Sequence, residues 1–177
     1  MSSSVSSKCR RAYEKALGLA EDLVQMGVGS DEQYLDCCAG ISRWSIGQHL
    51  DHAANANREI TGAVEKILAG EAGPSRSGPT LVGRAVLTTG WIPRGVGKAP
   101  DYTAPKASSS DQVKENLTRS LERVRQLGEV LPRVESSQDR ADHFAFGGLT
   151  PMQWLRVIDV HTRHHLKIIR DIERAAS

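Results

Sequence analysis

The stretch VHTRHHLKII, residues 160–169, places three of the chain's six histidines inside an apolar run near the C-terminus. Apolar and aromatic residues around it recur at alternating steps of four and three, which predicts a helix with one buried face. Two of the histidines fall on that buried stripe, which reads Trp154, Ile158, His161, His165, Ile168 and Ile172. Because residues four apart share a helix face, His161 and His165 are expected to converge on one point.

Two imidazoles in an apolar interior need an explanation. Each buried neutral ring requires a hydrogen-bond partner, and two adjacent rings repel each other if both are protonated. A divalent metal ion resolves both difficulties, but a catalytic zinc site typically has three protein ligands and one open position. His164 lies about 100° from His165 around the helix and is expected to face elsewhere. A third ligand must therefore come from another helix.

A second predicted helix, in SRWSIGQHLDHAANANREITGAVEKILAG, offers two histidines for this role. His49 lies nearer the centre of the apolar stripe. His52 lies on its shoulder, in line with Gln48, Asn55 and Glu59. A shoulder position suits the polar wall of a cavity, so helical periodicity alone permits either histidine as the third ligand.

Four stretches have the periodicity and end signals of amphipathic helices. The first covers about 8–27, the second runs from an N-cap at Ser42 or Ser45 to Gly70, the third from Ser110 to Pro132, and the fourth from Thr150 to about 173. Pro132 is expected to end the third helix, because proline removes a helical hydrogen bond. Pro151 suits the first position of the fourth helix.

A long connection, residues 71–109, separates the second and third helices and is rich in proline and glycine. Its middle, LVGRAVLTTGWIP, is apolar enough to dock on the other helices as a short helix. No segment has convincing strand alternation. The sequence therefore predicts an all-α four-helix bundle with a long crossover between helices 2 and 3. One domain over 1–177 is expected, with residues 1–7 flexible.

The composition excludes several classes of function. The chain has 177 residues and a net charge of +2, too balanced for a nucleic-acid-binding surface. No apolar run approaches the length of a membrane span, and no signal peptide is recognisable. The three cysteines, Cys9, Cys37 and Cys38, lack metal-binding spacing and are expected to be reduced thiols. A cytoplasmic protein with no nucleic-acid or membrane partner is expected.

Two blocks carry a family resemblance: WSIGQHLDH, residues 44–52, and HFAFGGLTPMQWLRVIDVHTRHHL, residues 143–166. Together they resemble the DinB-like superfamily of YfiT-type four-helix bundles, in particular a branch with an H-x-x-F-G-x-L-T-x-x-x-W block before an HxxHH helix. The resemblance covers nearly the whole chain in helix order. Where the branch commonly has His-Pro, this chain has His143 followed by Phe144.

The resemblance implies a divalent metal held by three histidines, one on the second helix and two on the fourth. Carried over by motif, the ligands are His52, His161 and His165, which favours His52 over His49. The usual metal among relatives is zinc or nickel, and many relatives are dimers. A homodimer is therefore expected as well.

The resemblance also implies a class of chemistry, either a metal-dependent hydrolase or a thiol-dependent transferase that acts on a small-molecule substrate or a low-molecular-weight thiol. A metal-bound water or a thiolate would occupy the open position. The residues predicted to surround the ligands or line the pocket are Gln48, Asn55, Glu59, His143 and Trp44. The alternative hypothesis is a catalytically inactive bundle that acts as a binding or stress-associated module.

Overall fold

The computed structural model describes residues 5–29, 31–73, 75, 78–107 and 109–176. Its long helices are α1 (Ser7–Met26), α3 (Ile46–Ala69), α5 (Ser110–Gln126) and α7 (Pro151–Ala176), and a short α2 (Asp31–Leu35) precedes α3. The predicted all-α four-helix bundle is confirmed. Of the segment predicted to be flexible, residues 1–4 lie outside the described residues. Ser6 caps α1, whose first residue is Ser7.

The four long helices pack in the order α1, α5, α3, α7 around the bundle, since α1 and α3 each contact both α5 and α7. Two apolar clusters fill the interior. On α7 the first cluster covers residues 154–158 and the second covers 166–172. The histidines at 161 and 165 therefore lie between two blocks of the hydrophobic core, in a more polar layer of the bundle.

The ends of α3 are set by local sequence. Of the two predicted caps, Ser45 is the observed one: its side chain accepts from the Gln48 backbone N–H, and the Gln48 side chain accepts from the Ser45 N–H. Such a reciprocal capping box satisfies two otherwise unpaired donors. Gly70 ends the helix at a φ of 75°, in the left-handed region that glycine adopts without strain.

The predicted end of the third helix is wrong. The helix α5 stops at Gln126, a 3-10 turn covers Leu127–Val130, and a further helix α6 (Leu131–Ser136) follows. Pro132 lies in the first turn of α6, where a missing N–H costs no helical hydrogen bond, so it starts a helix and does not end one. At the other end of α5, the cap is Ser109, with Ser110 as the first helical residue.

The structure also contains one short hairpin that no strand alternation in the sequence marks. Strands β1 (Ala141–His143) and β2 (Gly147–Leu149) form an antiparallel hairpin directly before α7. Each strand has three residues, too few to show the period-two alternation that identifies a strand. Gly147, the first residue of β2, has a φ of 78°, which favours glycine directly after the turn.

The crossover between α3 and α5 contains the short helix predicted there, α4 (Leu81–Thr89), capped by Thr80. Gly83 lets α4 approach the hairpin, because a Cβ at this position would lie 2.5 Å from the Phe146 carbonyl oxygen. The end of the crossover is held by Asp51 of α3, which accepts hydrogen bonds from the N–H groups of Lys106 and Ala107. Among the described helices, none is both long and apolar enough to cross a membrane.

Candidate metal centre

Helices α3 and α7 bring three histidines together at the middle of the bundle. One nitrogen from each of His52, His161 and His165 lies within 4.8 Å of the other two. The Nε2 atoms of His52 and His161 are 3.2 Å apart, and the three ring centroids are separated by 4.5–5.0 Å. This is the set of histidines that the family resemblance implies, and its arrangement can hold a metal ion.

The orientation of His52 is fixed from the crossover. Its Nδ1 lies 2.8 Å from the Thr103 carbonyl oxygen, which can only accept, so Nδ1 carries the proton and Nε2 presents a free lone pair to the other histidines. Histidines that bind metals commonly donate their second nitrogen to a carbonyl in this way. Both His52 and Thr103 are buried.

His165 is held by a contact with His49, the other histidine of α3. The Nδ1 atoms of the two rings are 2.9 Å apart, and the Nε2 of His49 lies 2.9 Å from the Ser42 hydroxyl oxygen. The sequence left His49 and His52 as alternative ligands. The structure brings both to the site: His52 belongs to the trio, and His49 is in hydrogen-bond contact with a member of it.

His161 differs from the other two rings because its Nδ1 is buried and has no hydrogen-bond partner among the described residues. Taken over the whole residue, backbone included, His161 is partly exposed, whereas His52 and His165 are buried. The accessible side of the cluster is therefore the side of His161.

The local environment keeps these imidazoles neutral. Burial lowers the pKa of His52, and it holds the pKa of His161 and of His165 well below the usual value, with neighbouring histidines adding to the effect. Burial also lowers the pKa of His49 to about 4. A neutral imidazole has a lone pair available for a metal, so the cluster is free of proton competition at neutral pH.

Of the predicted pocket residues, Trp44 lies against the histidines, whereas His143 is engaged in the hairpin before α7. The Trp44 ring is 4.9 Å from His52 and 5.4 Å from His49 between centroids, so it forms a wall over both rings. His143 stacks on Phe146, and its Nδ1 accepts from the N–H groups of residues 145 and 146. His143 therefore shapes the hairpin turn, and burial lowers its pKa to about 4.

The other residues predicted to surround the ligands are engaged elsewhere. Gln48 is exposed and belongs to the capping box. Asn55 bonds to Asn116 and Asp51. Glu59 is exposed and lines a surface groove with Arg58 and Tyr102. These three side chains have no hydrogen bond to the histidine trio within the described part of the chain.

Two contacts at the site could not be recognised in the sequence. Thr103 is 51 residues from His52 and lies in a loop without periodicity, so only the fold brings its carbonyl to the ring. Ser42 was a candidate helix cap, and its contact with His49 depends on the turn that precedes α3. Both contacts depend on how distant parts of the backbone are placed, which no local sequence pattern shows.

A four-helix bundle with three imidazoles from two facing helices defines a class of helical protein with a candidate metal site in its core. A family model described as the DinB superfamily matches residues 9–169, so the chain belongs to the DinB superfamily. Comparison with curated proteins and with solved structures gives no match.

Proposed function

We propose that this protein binds a divalent metal ion through His52, His161 and His165 and uses it as a hydrolase or a thiol-dependent transferase. The observation that carries the proposal is the convergence of three neutral imidazole nitrogens within 4.8 Å, on helices that are packed against each other. Buried ring nitrogens need partners, and one metal ion would serve a nitrogen of each of the three rings.

The spacing of the donors fits a metal ion. Zinc binds histidine nitrogen at about 2.0–2.1 Å in tetrahedral geometry, which requires neighbouring nitrogens to be about 3.3–3.4 Å apart. The His52 and His161 Nε2 atoms, at 3.2 Å, are already close to this separation. Imidazole suits both zinc and nickel, and the donor set therefore supports the two metals expected from the family.

When bound, a divalent ion held by His52, His161 and His165 would supply Lewis-acid chemistry for hydrolysis or thiol transfer. The residues around the three histidines determine which molecules can reach the site. Trp44 closes the side of His52 and His49, and the partly exposed His161 marks the open side. A small molecule is therefore the proposed substrate.

Arg94 favours an anionic substrate such as a carboxylate-bearing low-molecular-weight thiol. Its positive charge contributes to the lowered pKa of His164 and of His49. The guanidinium pairs with Asp171 at 2.6 Å and keeps about a third of its side chain exposed. Electrostatic attraction by a partly exposed cation raises the local concentration of an anion.

Metal analysis and thermal unfolding test the binding step. Purified wild-type protein should contain a divalent metal, and chelation should lower its melting temperature. A ligand at 1,000 times its Kd stabilises the native state by about 4 kcal/mol. His161→Ala should abolish both effects, whereas His164→Ala should keep them, since His164 is not one of the three converging histidines. Equal, negligible metal in wild type and His161→Ala would contradict the proposal.

Turnover separates the enzyme from a binding module. The metal-loaded protein is assayed against activated esters and amides, with and without a low-molecular-weight thiol, and His161→Ala is the control. Activity that needs the thiol supports a transferase, and activity without it supports a hydrolase. Bound metal with no turnover in either assay would support the inactive bundle. The expected homodimer is tested separately by sedimentation over a dilution series.

A further inference from the structure

His49 is a buried histidine with both nitrogens engaged. It lies on α3 one turn before His52 and is 2% exposed. One nitrogen faces His165 and the other faces the Ser42 hydroxyl, each at 2.9 Å. The ring therefore links one member of the histidine trio to the turn before α3.

The turn at Ser42 is itself fixed by backbone contacts. The Ser42 N–H donates to the Cys38 carbonyl at 2.8 Å, and the Ser42 hydroxyl oxygen accepts from the Trp44 N–H at 3.1 Å. A hydroxyl oxygen has two lone pairs, so it can accept from His49 at the same time. The Ser42 hydroxyl oxygen is thus held in place as a hydrogen-bond acceptor for His49.

Only one proton arrangement along this link leaves His165 able to bind a metal. Because the Nδ1 of His165 faces His49, its Nε2 is the nitrogen left for an ion, and that nitrogen must carry no proton. The proton then lies on Nδ1 and is donated to the Nδ1 of His49. His49 in turn carries its proton on Nε2 and donates it to Ser42. The opposite direction would place a proton on the Nε2 of His165 and block the site.

The three members of the trio are held unequally. His52 is fixed by the Thr103 carbonyl and His165 by His49, whereas the Nδ1 of His161 has no partner among the described residues. The donor atoms all lie within 4.8 Å of one another, and the pair on His52 and His161, at 3.2 Å, is already close to the tetrahedral separation of about 3.3–3.4 Å. His161 has no hydrogen bond at Nδ1 to hold its ring, so the two rings that are held, His52 and His165, set where the ion binds.

We propose that His49 is a positioning residue for the metal site: with Ser42 as its anchor, it holds the tautomer and the ring orientation that let the Nε2 of His165 bind the ion. This inference rests on the proposed metal-binding function. It assigns His49 a role that is neither ligand nor core packing. Replacement of such a partner of a ligating histidine typically costs 10–100-fold in metal affinity.

Zinc titration of metal-free protein tests the proposal with two substitutions at one position. His49→Leu removes both hydrogen bonds and should weaken zinc binding by about 10–100-fold. His49→Asn places an amide oxygen near the original Nδ1, where it can accept from His165, and should retain most of the affinity. Unfolding in chelator measures the stability of each metal-free variant, so a loss of packing is separated from a loss of positioning.

The role of His49 would be overturned, with the metal site intact, by either of two results. One is equal zinc affinity for wild type and His49→Leu, and the other is an equal loss of zinc affinity in His49→Leu and His49→Asn. A wild type that binds no zinc would instead overturn the proposed function and this inference with it. Ring ¹⁵N spectra of zinc-loaded wild type need no variant. They should show the proton on the Nδ1 of His165 and on the Nε2 of His49, and the opposite tautomers would also overturn the proposal.

Discussion

Asp51 connects the stability of the bundle to the geometry of the site. This buried carboxylate accepts from the Lys106 N–H at 2.7 Å, the Ala107 N–H at 3.0 Å and the Asn116 side chain at 2.7 Å. Hydrogen bonds to a charged group are each worth about 1.5–3 kcal/mol. At the exposed Lys106, water can replace the carboxylate as the hydrogen-bond partner of the N–H group. We therefore expect Asp51→Ala to lower the free energy of unfolding by roughly 3–5 kcal/mol.

The same substitution should weaken metal binding. The segment that Asp51 holds begins three residues after Thr103, whose carbonyl orients His52. Denaturant unfolding in chelator gives the stability change, and zinc titration of the folded variant gives the affinity change. Asp22→Ala is the matched control: this exposed carboxylate pairs with Arg170 at 3.9 Å and should contribute less than 1 kcal/mol. A loss below 1 kcal/mol for Asp51→Ala, or unchanged zinc affinity, would refute the argument.

Two further predictions concern acid stability and the crossover. The metal-free protein should lose stability as pH falls from 6.5 to about 4, because the unfolded chain binds a proton to His49 in this window and the folded chain does not. His49 alone accounts for about 3 kcal/mol, so the profile of His49→Leu, measured by denaturant unfolding, should be shallower by about that amount, while the other histidines with a lowered pKa keep the rest of the slope. Gly83→Ala should lower the free energy of unfolding by roughly 1–3 kcal/mol, since the new Cβ would meet the Phe146 backbone oxygen. An unchanged free energy of unfolding in the same denaturant assay would mean that α4 packs more loosely on the hairpin.

The sequence predicts much of the fold because its helices have clear periodicity and end signals. Ser45, Gly70 and Pro151 mark helix ends with side-chain or backbone chemistry that acts locally. The hairpin before α7 and the short helix after α5 depend instead on packing. The turn around Gly128 admits the Tyr13 ring of α1, and no local pattern reveals such a contact.

The candidate site also has parts that the sequence predicts and parts that only the folded chain defines. Spacing on one helix suffices to pair His161 with His165, because the helix itself fixes their geometry. The choice between His49 and His52 depends on how α3 is rotated against α7, and periodicity could not decide it. The partners of these rings, Thr103 and Ser42, come from loops whose positions only the folded chain defines.

Anomalous X-ray scattering at the zinc and nickel absorption edges tests the metal site most directly. Crystals of protein loaded with either ion should give one strong peak, about 2.0–2.1 Å from a nitrogen of each of His52, His161 and His165. The His49 ring should remain bonded to His165 and lie outside the coordination sphere. A peak elsewhere, or a loaded crystal without a peak between the three rings, would contradict the account.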